Sequence, residues 1–578
     1  MDFRRVATWI VFLMSSLFLV DAWQRYNGQV GFMSTSPAPV TTQPVNTFSD
    51  SVPAAPTSPA AAVTDKLITG SIISTLPSIK LSNEVLAIEV SRAGANIVRA
   101  ELLKHKDGKD KTKHVVLLDS GQQTYLAQTG LAGSIAGKPF PNHTAATTFS
   151  IVNQTANSVV LEAVVEGVKL TKTITLNPNN YAIDVKHVVN NGSTSEIVPS
   201  LYLQLTRHAI PSSTGNFITN PVHTFTGPAV YTELEKFQKI QFSDIDKGKV
   251  ASKYNSVVKD NETAWIAMVQ HYFVSAWVAK DRKARVLNIP LEEKRSLDGT
   301  RLYSVNSMQA LGTLAVGASV QREAVLYVGP QDQAALEALA PGLRLVVDYG
   351  IFKIIAEPMF AVLQLLHDWV GNWGWAIILL TVIIKALLYL PMAMSYRSMA
   401  KMKNMAPKMK ALKERFGDDK LKLQTATMEL YRTEKINPLG GCLPILFTIP
   451  VFMSLYWVLL SSVEMRNAPW IGWIDNLAAP DSWYILPALL MVTMVVQFKM
   501  SPAPPDPTQA KVMMAMQGVF ALMFAFFPSG LNIYYFVNNT LSIVQQWFIT
   551  RQLEKEGLQT PRVKLPKPIK LKAANSKK

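Results

Sequence analysis

The chain has 578 residues, too many for one hydrophobic core, and this length predicts at least two folding units. Hydrophobic residues make up 48% of it, charged residues only 17%, and the apolar residues form runs long enough to cross a bilayer, which predicts a membrane protein. The net charge of +16 is concentrated, because residues 397–435 carry eleven Lys/Arg against five Asp/Glu and residues 551–578 carry nine against two. Basic segments beside apolar runs are typical of cytoplasmic loops that meet anionic lipid or ribosomal RNA, and they argue against a DNA-binding protein.

The first 26 residues place two arginines before the apolar run Val6 to Val20, a pattern shared by signal peptides and signal anchors. The cleavage signal after this run is weak, and Trp23 and Tyr26 suit the far interface of a retained helix. We therefore predict a transmembrane anchor over residues 1–26, with its arginines in the cytoplasm. Residues 27–66 are rich in Pro, Ser, Thr and Ala, a composition that predicts an extended linker without a core.

Residues 67–345 predict a large, mostly antiparallel β domain, a sandwich that lies outside the membrane. The β-branched segments that indicate its strands include Ser158 to Val165, Val168 to Leu176, Tyr181 to Val189 and Glu323 to Val328. The domain shows no metal-spaced His/Cys cluster, no G-x-S-x-G and no phosphate loop. We therefore expect a binding or scaffolding role, with no catalytic residue, no metal and no cofactor.

Residues 346–373 predict an amphipathic helix that lies flat on the outer membrane surface, because its polar side chains recur at steps of 4, 7 and 4. These are Lys353, Glu357, Gln364 and Asp368. Five transmembrane helices then follow, over residues 374–395, 441–463, 483–499, 512–527 and 530–549. The helices at 483–499 and 512–527 are short for a bilayer, which favours local thinning of the membrane.

Lysine and arginine counts orient these helices. The loop 396–440 and the tail 550–578 are basic and are placed in the cytoplasm with the short loop 500–511, whereas the loop 464–482 is placed outside. With the anchor, the sequence predicts a polytopic α-helical membrane protein of six transmembrane helices, both termini cytoplasmic and the β domain outside.

The cytoplasmic loop 396–440 predicts an antiparallel helical hairpin, because its apolar residues recur at helical steps of 3 and 4 up to a stop signal. The apolar residues are Met399, Met402, Met405, Met409, Leu412 and Phe416, and the stop with a new helix cap is Gly417, Asp418 and Asp419. The methionine stripe fits an ordinary core, or an adaptable surface for varied apolar partners.

Lys385 lies at the middle of the apolar stretch Trp375 to Met394, so in a straight helix its ammonium is near the bilayer centre. A charge there costs roughly 2.5–3.5 kcal/mol on insertion scales. The ordinary explanation is a carboxylate partner, yet the other four helices of this block contain no Asp or Glu. We therefore predict that Lys385 faces a water-filled groove. Polar residues expected beside it are Thr381, Thr448, Gln497, Asn532, Tyr534, Tyr535, Asn538, Asn539, Thr540, Ser542, Gln545 and Gln546, of which helix-to-helix hydrogen bonding explains some.

Several motifs, in this order and spacing, resemble the YidC family of membrane protein insertases. They are Asn437-Pro-Leu-Gly-Gly-Cys-Leu-Pro444, Gly417-Asp-Asp-Lys420, Phe527-Pro-Ser-Gly-Leu531, Tyr534-Tyr535 and Gln545-Gln546. The resemblance covers residues 348–557, and the order of anchor, linker and β domain matches the Gram-negative form. It implies a five-helix insertase core, a β-supersandwich domain like that of sugar mutarotases without their activity, and a groove closed to the periplasm. Its implied partners are nascent membrane proteins, the Sec translocon and the ribosome, in addition to anionic lipids. The family usually has an arginine where this chain has Lys385.

The sequence predicts a non-enzymatic insertase and chaperone of the inner membrane, in which the hairpin and basic tail meet a ribosome or nascent chain and Lys385 attracts acidic leaders. A secondary transporter is the alternative, but the inverted repeats and additional buried charges that such proteins show are not apparent. An intramembrane hydrolase needs a nucleophile–base pair or metal ligands, and the five later helices contain no His or Asp.

Overall fold

The structure is a computed structural model that describes residues 78–108, 110–121, 123–135, 138–139, 143–144, 146–208, 225–248, 256–289, 301–416, 419–433, 443–500 and 507–555. The predicted anchor, linker and most of the basic tail lie outside these residues, as do Gly417, Asp418 and the stretch 434–442. The described residues form a β domain followed by a bundle of helices.

Antiparallel strands make up most of the described chain from 79 to 330. They are β1 Ile79–Ser82, β2 Leu86–Val90, β3 Ile97–Lys106, β4 His114–Leu118, β5 Tyr125–Ile135, β6 Lys138–Pro139, β7 Ser150–Gln154, β8 Ser158–Val165, β9 Val168–Leu176, β10 Ala182–Asn191, β11 Ile197–His208, β12 Gly227–Thr232, β13 Lys236–Lys239, β14 Ser256–Val258, β15 Ala264–Val269, β16 Phe273–Ala279, β17 Arg285–Asn288, β18 Leu302–Ala310 and β19 Ser319–Pro330. A short helix, α1 Phe242–Asp246, lies between β13 and β14, and α2 Gln333–Leu339 follows β19.

The strands form two antiparallel sheets. One has the order β1-β2-β3-β5-β11-β18-β17-β14, with β4 beside β3 and β6 beside β5, and the other has the order β13-β12-β15-β16-β19-β10-β9-β8-β7. One hydrophobic core contains buried side chains of both sheets, such as Leu102 and Leu205 of the first and Leu170 and Leu326 of the second. The predicted β sandwich is therefore confirmed.

Alternation along each strand selects the side that packs into this core. In β9 every second residue is buried, which places Val168, Leu170, Ile174 and Leu176 inside. The same period places Lys172 inside, and its side chain is fully buried. Lys172 Nζ donates hydrogen bonds to the carbonyl oxygens of Gly94, at 2.7 Å, and Thr129.

Burial without a carboxylate partner disfavours the ammonium form and lowers the pKa of Lys172 to about 7. His187 lies nearby, where its Nε2 contacts Thr129 Oγ1 at 2.9 Å. Burial lowers the pKa of His187 to about 3, so this histidine is neutral at pH 7. The sandwich core thus holds one cationic group whose proton is lost near neutrality.

Replacement of Lys172 by Met should stabilise the β domain at pH 7. Burial of the ammonium form of Lys172 lowers the stability of the folded chain. The full effect applies below the folded pKa of about 7, and it disappears as the pH approaches the ordinary lysine pKa of 10.5, at which the unfolded chain also loses the proton. We expect Lys172→Met to raise the free energy of unfolding by about 2–4 kcal/mol at pH 7, with the gain shrinking toward pH 10. Thermal unfolding of the full chain in detergent at pH 6, 7, 9 and 10 measures this. Lys169→Met, which removes a partly exposed ion pair to Glu162, is the control and should show no such pH trend. A gain for Lys172→Met that is independent of pH would contradict the prediction.

Helices form the rest of the described chain. They are α3 Lys353–Val370, α4 Trp373–Leu387, α5 Tyr389–Asn404, α6 Ala406–Phe416, α7 Lys420–Thr433, α8 Leu443–Ser461, α9 Ile485–Met500, α10 Pro507–Phe524 and α11 Ser529–Lys555, with single 3₁₀ turns at Leu343–Val346, Gly350–Phe352 and Val463–Met465. Helix α3 buries Ala356, Phe360 and Leu363 against the bundle, while Leu365 and Trp369 remain exposed on another face.

Helices α4 and α5 meet at a bend of 65° around Leu388, where the sequence analysis assumed one straight helix. Pro391 explains the break, since proline has no N–H to donate and its ring collides with the carbonyl group four residues earlier, that of Leu387. No single helix among the described residues is both long and apolar enough to cross a membrane. The bent pair α4 and α5 meets these two criteria when the two helices are taken together. Shorter apolar helices cover residues 447–461, 485–500 and 514–524.

Contacts between the β domain and the helices gather around the end of α8. His271 Nε2 donates to the Leu460 carbonyl oxygen at 2.8 Å. Lys239 pairs with Asp348 at 2.5 Å, and the Ser461 hydroxyl donates to the Asp348 carbonyl oxygen at 2.7 Å. These bonds join the second sheet, the end of α8 and the segment that leads into α3 to one another.

Candidate functional site

A cavity lies where α4, α5, α8 and α11 meet. It has room for about one water molecule, about 10 Å³, within about 240 Å³ of space between atoms that includes open solvent. We call it the Lys385 cavity. Its lining residues are Ile384, Lys385, Leu388, Met392, Thr448, Val451, Tyr534 and Asn538.

Lys385 supplies the charge of this cavity. Its Nζ donates a hydrogen bond to Ser542 Oγ of α11 at 2.6 Å, and the Ser542 hydroxyl in turn donates to the Asn538 carbonyl oxygen at 2.7 Å. Within the described ranges, Lys385 forms no ion pair with a carboxylate. An ammonium held by a neutral hydroxyl keeps its full charge available to an anionic group that enters the cavity.

Four of the predicted groove residues line the Lys385 cavity together, namely Lys385, Thr448, Tyr534 and Asn538. Tyr535 is not among the lining residues, and its ring packs against those of Phe452 and Phe524. Thr381 lies one turn from Lys385 but is buried, and its hydroxyl donates to the Ile377 carbonyl oxygen of its own helix.

The other predicted polar residues connect helices. Gln497 Nε2 donates to Gln546 Oε1 at 3.1 Å and so joins α9 to α11. Asn532 Nδ2 donates to the Phe524 carbonyl oxygen across the turn between α10 and α11. Gln545 Nε2 donates to the carbonyl oxygen of Tyr389, beside the bend of α4 and α5. None of these three residues lines the Lys385 cavity. Their side-chain amides form hydrogen bonds with neighbouring helices, whereas we predicted that they face a groove.

Sequence reasoning missed the apolar half of the lining, which consists of Ile384, Leu388, Met392 and Val451. Such residues look the same in an apolar helix whether they face a cavity or lipid. It also did not assign Ser542 to Lys385, although both side chains stood out as polar groups in apolar helices.

The predicted hairpin within residues 396–440 is formed by α6 and α7. Asp419 caps α7, since its Oδ1 accepts hydrogen bonds from the backbone N–H groups of Leu421 and Lys422, both at 3.1 Å. The predicted new cap is therefore confirmed. Met402 lies on α5 and Met409 on α6, because the predicted continuous first helix is broken at Met405. Both methionines are half-buried.

The loop 464–482 is tightly bonded to the beginning of α11. The backbone N–H of Ser529 donates to the Ala479 carbonyl oxygen at 2.7 Å, and that of Gly530 donates to the Leu477 carbonyl oxygen at 2.9 Å. Trp470 packs against the first turn of α4 so closely that a Cβ atom on Gly374 would lie 2.1 Å from its ring. The loop thus covers the ends of α4 and α11 that point away from the Lys385 cavity.

Asp481 organises this loop from inside. Its carboxylate is 2% exposed and accepts hydrogen bonds from Trp473 Nε1 at 2.9 Å and from the backbone N–H of Leu486 at 2.8 Å. The backbone N–H of Trp483 donates a third bond, at 3.0 Å. One buried carboxylate therefore satisfies donors from the loop and from the first turn of α9.

Comparison with known proteins assigns both units. Residues 78–362 match the family described as the YidC periplasmic domain, and residues 365–556 match the family described as 60Kd inner membrane protein. The chain is 48% identical over 574 residues to the membrane protein insertase YidC of Bordetella petrii, covering 96% of this chain and 99% of that protein. The chain belongs to the YidC family.

A second insertase YidC, from Aromatoleum aromaticum, is 46% identical over 570 residues and again covers 96% of this chain and 99% of its own. A crystal structure of an active YidC insertase with its first transmembrane domain resolved is 16% identical, covers 82% of this chain and 92% of that chain, and has a TM-score of 0.36. This YidC-family chain is an inner-membrane protein with a periplasmic β domain.

Proposed function

We propose that this YidC-family insertase receives the polar leader of a client in the Lys385 cavity, while the client's apolar helix moves into lipid. The observation that carries the proposal is the position of the Lys385 ammonium, which lines a cavity between helices and is held by a hydroxyl. A cation in this setting attracts acidic residues of a leader and places no strong demand on its sequence.

We propose six transmembrane helices with both termini in the cytoplasm. The anchor provides the first, the bent pair α4 and α5 the second, and α8, α9, α10 and α11 the others. Lys385 follows Trp375 by ten residues, which is about 15 Å of helix and half of a roughly 30 Å hydrocarbon core. The bend immediately after Lys385 turns the chain aside and leaves Leu387 and Leu390 exposed.

The loop 464–482 supports closure of the periplasmic end of this route. Its bonds to Ser529 and Gly530 and its packing on Gly374 cover the helix ends there. Entry then comes from the cytoplasmic side, where the hairpin α6 and α7 and the basic tail meet ribosomes, nascent chains or anionic lipid. Cooperation with the Sec translocon and a chaperone role in folding of clients belong to the same proposal.

The exit path follows exposed apolar side chains. Phe447 and Ile449 on α8 and Val519 and Leu522 on α10 are exposed and provide a surface along which an apolar helix enters lipid. Burial of about 20 apolar residues in lipid supplies the driving force, and the membrane potential adds about 2.3 kcal/mol per 100 mV for each negative charge moved outward. The proposed route needs no covalent chemistry and no nucleotide, so under this proposal the protein is not an enzyme.

Site-specific photocrosslinking tests the route. A photoreactive residue at Thr448, in the cavity lining, should crosslink to the leader of a ribosome-stalled client, whereas one at the exposed Val492 of α9 should give about tenfold less product. Equal crosslinking from both positions, or crosslinks to the leader only from Val492, would refute entry through the Lys385 cavity.

A further inference from the structure

Ser542 of α11 contacts Lys385 of α4, three residues before the bend between α4 and α5. The Lys385 Nζ donates to the Ser542 Oγ at 2.6 Å. The Ser542 hydroxyl also donates to the Asn538 carbonyl oxygen of its own helix at 2.7 Å. The Ser542 side chain is 7% exposed, so water competes little for these contacts.

The Ser542 hydroxyl has a fixed orientation. Its proton is used in the bond to the Asn538 carbonyl oxygen one turn earlier, which holds the rotamer and leaves the oxygen lone pairs for donors. A hydrogen bond from an ammonium to such an oxygen is short and stronger than a neutral one. A lysine without such a partner has a flexible four-carbon stem that can move its charge toward an interface.

We propose that Ser542 is a positioning residue that holds the Lys385 amine in the wall of the cavity and thereby sets the preference for clients with acidic leaders. The inference rests on the charge role of Lys385 proposed above. Without the hydroxyl, the amine loses its fixed place and meets an entering carboxylate in a smaller share of its conformations. Insertion of neutral leaders is expected to change little, since they gain nothing from the placement of the charge.

A pair of variants of equal shape tests this role. Ser542→Thr keeps the hydroxyl, and Ser542→Val replaces it with a methyl group, so any packing penalty of the branched side chain is shared. The full-length protein is reconstituted in liposomes with two clients that differ only in two leader residues, both Asp or both Asn. The measured quantity is the ratio of protease-protected acidic client to protected neutral client. We expect the Thr variant to keep the wild-type ratio and the Val variant to lower it about threefold.

Thr540→Val is the matched control, because Thr540 is exposed on the same helix and its hydroxyl bonds only to the Phe536 carbonyl oxygen of that helix. It should leave the ratio unchanged. Equal ratios for the Thr and Val variants would overturn the positioning role. If both variants insert neither client, Ser542→Ala supplies the ratio, and a wild-type ratio in that variant would overturn the role as well.

Lys385→Gln in the same assay separates this inference from the proposed function. If loss of the charge leaves the ratio at the wild-type value, the charge role itself fails. If Lys385→Gln lowers the ratio while Ser542→Val and Ser542→Ala do not, the charge acts without help from Ser542 and only the positioning role fails.

Discussion

Lys385→Glu should abolish most insertion of clients with acidic leaders while sparing those with neutral leaders. The substitution replaces attraction by repulsion toward an entering carboxylate, so the change in interaction energy exceeds that of simple neutralisation. We expect a loss of roughly tenfold or more for a leader with two Asp residues, since each 1.4 kcal/mol corresponds to tenfold. The protease-protected fraction of each client in liposomes measures it.

Lys385→Arg is the conservative control for this experiment. It keeps the charge, so acidic leaders should insert nearly as well as with the native protein. Equal losses of acidic and neutral clients in Lys385→Glu would mean that the substitution merely unfolds the bundle. If Lys385→Glu inserts acidic and neutral clients as well as the native protein does, the charge of Lys385 has no role in insertion.

Asp481→Ala should destabilise the helical unit and lower insertion of every client, whatever the charge of its leader. The substitution leaves three donors without their acceptor, those of Trp473, Trp483 and Leu486. Buried donors that lose a charged partner cost about 3 kcal/mol in sum. We expect the thermal midpoint of the helical unit in detergent to fall by roughly 6–10 °C.

Asp475→Ala provides the comparison within the same loop. Asp475 is exposed and pairs only with Lys111 of the β domain, and exposed pairs of this kind contribute at most about 1 kcal/mol. Its thermal midpoint and insertion activity should stay close to those of the native chain. A selective loss of acidic clients in Asp481→Ala would contradict a purely structural role of the loop.

The local elements of this protein follow from local pattern. Alternation in Val168 to Leu176 predicted β9 with the bounds that the structure has, because a half-buried strand must present every second residue to the core. Asp419 was predicted as a helix cap, because a carboxylate before a helical run satisfies free backbone N–H groups. Lys385 was identified from the sequence because a charge in an apolar run is costly wherever the helix lies.

The bend of 65° between α4 and α5 was not predicted, because an angle depends on what the two helices pack against. The same limit applies to the polar residues of α11. The sequence shows which residues of α11 are polar. The rotation of the helix about its axis decides which of them faces Lys385, and packing against α4 and α9 sets that rotation. Gln546 therefore binds Gln497, while Ser542 binds the amine.

Sequence alone determined the strands, the apolar segments, the hairpin cap and the presence of one unusual lysine, since each depends on residues near one another in the chain. Tertiary structure decided the partners. Lys172 lies at a core position that its strand's alternation already gives, but the carbonyl groups that bind it come from the turn at Gly94 and from Thr129 of β5, both distant in sequence. Ser542 reaches Lys385 across 157 residues of sequence for the same reason, because hydrogen bonds between elements form only once packing has placed them side by side.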